Sequence, residues 1–136
     1  MAVELVGAEL TPQLLSDLEE VYTHLSRRPG FPNEYCKVTS VLIAGHYNLY
    51  LVEGRFELDR ETIAYGPATR YPVHFWCEDF SGKIVELTGT QFNPWLNSPF
   101  PRGVVVVLPG SSLGQRFKPN RIPESNVLNK RLIRSC

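Results

Sequence analysis

Tyr71-Pro72-Val73-His74-Phe75-Trp76-Cys77-Glu78-Asp79-Phe80-Ser81-Gly82-Lys83-Ile84-Val85-Glu86-Leu87-Thr88 is the stretch whose reading decides the fold. Residues 71–78 and 83–88 are rich in aromatic and β-branched side chains, which suits strands. Phe80-Ser81-Gly82 between them reads as a hairpin loop of three residues, with Gly82 at the left-handed position. That loop sets Asp79 opposite Lys83, Trp76 opposite Glu86 and His74 opposite Thr88. Side chains alternate along a strand, so these two cross-strand pairs of His74, Trp76, Glu86 and Thr88 share one face. Glu86 becomes a diagonal neighbour of His74, roughly 7–8 Å away along the backbone and within reach of its side chain. A loop one residue shorter or longer would reverse the parity. In that case Glu78 and Gln91 are left as the orienting partners of His74.

Upstream of the hairpin the pattern is helical. Residues 11–28 carry Thr11 as an N-cap, Pro12 in the first turn and a stripe of Leu14, Leu18, Val21, Tyr22 and Leu25. Arg27, Arg28, Pro29 and Gly30 close that helix. A second helix is expected from Asn33, taken as its N-cap after Pro32, to Gly45, taken as its stop. Cys36 then falls in the first turn. Leu49–Val52 and Phe56–Tyr65 read as strands around a Gly54 turn, and Val104–Leu108 as a buried central strand. The proline-rich remainder of residues 94–123 reads as covering loops, and a short helix is expected from Ser125 to Ile133. Helices first and antiparallel strands after make an α+β domain, its N-terminal helices packed on the sheet.

With 136 residues and 43% apolar content, the chain is long enough for one domain, residues 1–136, with a core of its own. Fourteen basic and 14 acidic residues cancel, so nothing draws the protein as a whole to nucleic acid. No apolar run approaches the roughly 20 residues of a membrane span. MAVELVGAEL lacks the basic and long apolar regions of a secretion signal, which points to the cytoplasm, with export as an effector still open. Three cysteines, Cys36, Cys77 and Cys136, cannot all pair, in keeping with reduced thiols. Arg102, Arg116, Lys118 and Arg121 form the local basic excess, read as solvated loop decoration ahead of an acidic partner's docking site.

A thiolate is the reactive form of cysteine, and a helix N-terminus stabilises it through unpaired N–H groups and the helix dipole. Cys36 sits where both act, although a free cysteine is more often a small buried hydrophobe. His74, inside an aromatic strand, needs a polar partner. It is either a satisfied core histidine or the base that activates a thiol brought from elsewhere in the chain. Zinc bound by Cys36, His74 and Cys77 is the competing chemistry, but residues 74 and 77 point to opposite faces of a strand. No cofactor is implied.

His74-Phe75-Trp76-Cys77-Glu78 followed by Gly82-Lys83-Ile84-Val85-Glu86-Leu87-Thr88 resembles the His-x-Trp-x-Glu … Asp-x-Thr pattern of transglutaminase-like cysteine enzymes, within the papain-like superfamily. The similarity covers residues 33–92, with Glu86 standing where that pattern has Asp. It implies a papain-like fold, with Cys36 as nucleophile, His74 as base and Glu86 as orienting carboxylate. Asn33 or Tyr35 would stand near the oxyanion, and Trp76 and Gln91 would support the site. The implied activity is hydrolysis of amides in a protein or peptide substrate, by a peptidase or glutamine deamidase, ahead of transglutaminase-type acyl transfer. A catalytically silent scaffold that binds or inhibits other proteins is the non-enzymatic alternative.

Overall fold

Thr11 starts the first helix as its sequence leads one to expect: its hydroxyl accepts the Leu14 N–H at 3.1 Å, and Pro12 takes the first helical position. The computed structural model describes residues 11–120. The expected helix at 125–133, Arg121 and Cys136 lie outside them. Helix α1 spans Pro12–Leu25, and α2 spans Cys36–Tyr47. Five strands follow: β1 Tyr50–Phe56, β2 Val73–Glu78, β3 Ile84–Glu86, β4 Val105–Val107 and β5 Phe117–Pro119. They form one sheet in the order β4-β3-β2-β1-β5, with every neighbouring pair antiparallel.

Residue parity divides the core. Leu51, Phe75, Cys77, Val85 and Val106 face the helices and pack with Leu18, Ile43 and Ala44. Val52, Trp76, Ile84, Val105 and Val107 face the other way, into an aromatic cluster with Phe56, Phe92, Phe100 and Phe117. Strands β1 to β4 thus alternate between two apolar layers, as a sheet buried on both sides requires, while the edge strand β5 contributes only Phe117. Ser40 fastens α2 to β2 twice. Its hydroxyl donates to Phe75 O at 3.1 Å, and its carbonyl accepts the Cys77 thiol at 3.2 Å.

The β2–β3 hairpin has the register deduced from its loop. Asp79 N–H donates to Lys83 O at 3.0 Å, Gly82 is left-handed at φ 93°, and Cys77 pairs with Val85 and Glu78 with Ile84. One Asp79 carboxylate oxygen also accepts from Ser81 N, Ser81 Oγ and Lys83 N, which pins the turn from inside.

Other expectations are corrected. Asn33 is not the cap of α2; Tyr35 holds that place without a side-chain bond, and the helix begins at Cys36. It runs past Gly45 to Tyr47, because Asn48 supplies the left-handed residue, at φ 61°. The first helix closes at Leu25, short of 28. Phe56–Tyr65 is not a strand; β1 ends at Phe56, and beyond it an isolated bridge joins Thr62 to Thr69. The Val104–Leu108 run contributes β4, which is buried but lies at the sheet's edge. The presumed covering loops hold β5 as well.

Gly54 is no turn either. It lies inside β1 opposite His74, and a Cβ there would stand 2.3 Å from Lys118 O and 2.8 Å from Trp76 Cη2. The missing side chain is what lets β5 close on β1. Gly54→Ala should therefore cost about 1–3 kcal/mol, read as a lower urea midpoint, from overpacking against backbone that cannot yield. An unchanged midpoint would mean that β5 lifts away freely.

Candidate active site

The hairpin register brings Glu86 to His74. Glu86 Oε1 lies 2.5 Å from His74 Nε2, and the two side chains are 2% and 0% exposed. The other carboxylate oxygen accepts the Thr88 N–H at 2.6 Å and the Thr88 hydroxyl at 3.0 Å. Gln91 completes the chain of bonds, its amide donating to Thr88 O at 3.0 Å and to Thr88 Oγ1 at 3.2 Å. Glu86 is thus held at both oxygens, which fixes the plane in which it meets the imidazole. Gln91 acts through Thr88 and does not touch the ring. Glu78, the other fallback, accepts from Trp76 Nε1 at 3.3 Å.

The imidazole is walled by aromatic rings. Phe92 stands edge-on at 4.8 Å, Trp76 lies at 5.8 Å, and Phe56 and Phe117 lie just beyond 6 Å. Burial on its own would drive the proton off. The Glu86 carboxylate, and after it Cys36, outweigh this and raise the His74 pKa to about 9. With Nε2 committed to Glu86, the buried Nδ1 has no hydrogen bond that is complete in distance and angle. Cys36 is nonetheless near enough to act on the ring by hydrogen bonding and by charge. Cys36 occupies the first residue of α2 and is half-buried, so the unpaired N–H groups of that first turn surround it.

The structure therefore gathers Cys36, His74 and Glu86, from α2, β2 and β3. Trp76 shares the imidazole's face. Asn33 is exposed on the segment leading into α2, and the Tyr35 hydroxyl is turned toward Pro29 O, at 3.5 Å. Cys77 faces the opposite layer, and burial pushes its thiol well up from the ordinary value. Among the described residues, no group of three His, Cys, Asp or Glu side chains is placed to hold a metal ion. Nor is any helix among them long and apolar enough to cross a membrane. Arg116 pairs with Asp59 at 2.7 Å and Lys118 with Glu57 at 3.7 Å, so these two basic residues tie loops together.

Tyr65 has no counterpart in the sequence reading. Its hydroxyl donates to Gln91 O at 2.9 Å, and burial, then the charge of Cys36, pushes its pKa up to about 12. It ends the Phe56–Tyr65 stretch that the sequence reads as a strand, and nothing in that reading marks it for the site. Compared with protein-family models, with curated proteins and with solved structures, the chain matches none.

Proposed function

We propose that this protein is a papain-like cysteine amide hydrolase working through Cys36, His74 and Glu86. The observation that carries the reading is the buried Glu86–His74 pair, whose imidazole lies close enough to Cys36, at a helix N-terminus, to feel that thiol. In the proposed reaction the Cys36 sulfur attacks the amide carbon, and the carbonyl oxygen takes up the electron pair. N–H groups of the first turn of α2 are the available donors to that oxyanion. His74 Nδ1 gives its proton to the departing nitrogen as the C–N bond breaks, leaving a thioester on Cys36. Water then attacks the thioester, His74 takes its proton, and the acid departs as the C–S bond breaks, leaving the Cys36 thiolate and the protonated His74 with which the cycle began. Glu86 holds the ring in one tautomer and stabilises its charged form. Water as the acceptor gives a peptidase or a glutamine deamidase, whereas an amine acceptor would give transamidation.

Alkylation tests the nucleophile. Iodoacetamide at neutral pH, followed by peptide mass mapping, should label Cys36 at least about tenfold faster than Cys136, since ionised, accessible thiols react first. Equal rates at the two cysteines would leave an inert scaffold that binds other proteins. If Cys36 does react first, the Cys36→Ala protein becomes the bait for trapping uncleaved substrates from a lysate.

A further inference from the structure

A cavity of about 840 Å³ opens between the segment leading into α2, the edge of β1 and the loop around Tyr65, within the range of pockets that hold small ligands or short peptide segments. Cys36, His74 and Glu86 do not line it, but chain neighbours of the first two do. Asn33 and Glu34 precede Cys36 by a few residues, Val73 adjoins His74, and Tyr65 is the ring that senses the charge of Cys36. The walls are mostly apolar, led by Tyr65 and Trp95, whose rings meet edge to face at 5.7 Å.

Two charges border this apolar space, Arg55 and Glu34. Arg55 sits on β1 opposite Val73, and its side chain's one hydrogen bond among the described residues runs from Nη1 to Tyr71 O at 3.1 Å. No described carboxylate pairs with it, whereas Arg70, Arg116 and Lys118 each have an acidic partner. A guanidinium with spare donors at the edge of an apolar cavity matches a carboxylate, which it can grip with two parallel bonds. Glu34, held in the left-handed region at φ 66° on the exposed approach to Cys36, suits an N–H donor on the same ligand.

We infer that the cavity takes an aromatic or large aliphatic residue bearing a carboxylate, and that Arg55 is the specificity residue that binds it. This rests on the proposed hydrolase reading for its meaning, because it restricts the substrates to peptides with that feature beside the scissile amide. The carboxylate can come from a chain end or from an acidic side chain, and the probes separate the two.

Binding to the intact protein is measured by tryptophan fluorescence and calorimetry with three compounds that need no chemistry at Cys36. N-acetylphenylalanine carries a terminal carboxylate, N-acetyl-aspartyl-phenylalaninamide a side-chain one, and N-acetylphenylalaninamide none. One of the two acids should bind at least about tenfold tighter than the neutral amide, the gain expected of a charge-assisted pair. Arg55→Gln should erase that preference and Arg55→Lys should keep part of it, with circular dichroism confirming the fold of both variants. Equal binding of all three compounds, or a preference that survives Arg55→Gln, would overturn the inference. Because the readout is independent of the thiol, a silent Cys36 would remove the hydrolase reading and leave the carboxylate site standing.

Discussion

Replacing His74 with alanine should abolish amide hydrolysis and destabilise the fold by about 3–5 kcal/mol. The two losses share one cause. Glu86 is 2% exposed, and without the imidazole its carboxylate keeps the two Thr88 donors but has no counter-charge. Stripping one member from a buried ion pair costs on that scale. Glu86→Gln separates the roles, because the amide fits the same space and His74 can shed its proton, so no buried charge is stranded. It should lose the stability of the ion pair but less than His74→Ala loses, and it should lose turnover by less than about 10⁴-fold, the cost of misorienting the histidine in a serine protease. A thiol depends less on its base than a hydroxyl does, which places the expected loss below that ceiling. Turnover and urea midpoints of the two variants, with Cys36→Ser as the dead reference, decide the matter. Full activity in Glu86→Gln would reduce the site to a Cys–His dyad. Loss of activity in Glu78→Gln instead would move the orienting role to Glu78.

Raising the pH through about 9 should remove both activity and a large part of the stability. In the folded protein the His74 pKa is raised to about 9 from the ordinary 6.5, since Glu86 and Cys36 outweigh burial. A group whose folded pKa is the higher one contributes in full below its unfolded value, and the contribution fades as pH rises through the folded value. The window therefore runs from about 6.5 to 9, and integrating the shift gives a loss of about 3 kcal/mol. In the proposed reaction the proton on Nδ1 is also the one passed to the leaving nitrogen, so kcat/KM should fall along the same limb. Urea midpoints at pH 6, 8 and 10, with a pH–rate profile beside them, supply the measurement. Glu86→Gln removes the charge that raises the pKa, so its limb should shift to lower pH. A profile in Glu86→Gln that tracks the parent would show that another group titrates.

The hairpin was legible because its signals are local. Asp79, Ser81, Gly82 and Lys83 specify the turn among themselves, and the turn fixes which face Glu86 occupies. The partnership of His74 and Glu86 followed from that alone. Gly54 was misread because a glycine between two apolar runs is equally a turn and a site of close approach, and the element that approaches it lies more than 60 residues on. That element, β5, is too short to show periodicity and ends on a proline. Tyr65, Thr88 and Arg55 owe their positions to tertiary packing. Thr88 stood in the sequence as the partner opposite His74, and only the folded chain turns its hydroxyl onto Glu86.

The clasp between Ser40 and β2 also divides the described thiols by their exposure to oxidants. Cys77 is sealed in the helix-side core with its proton held by burial and its sulfur directed at Ser40 O, so peroxide finds no thiolate there. Cys36 is partly exposed and, on the proposed reading, is the thiol that takes the first oxidising equivalent as a sulfenic acid, which low-molecular-weight thiols reverse. If Cys36 is the nucleophile proposed, oxidative stress falls on it while the packing thiol is spared, so activity is lost and restored without the core coming apart.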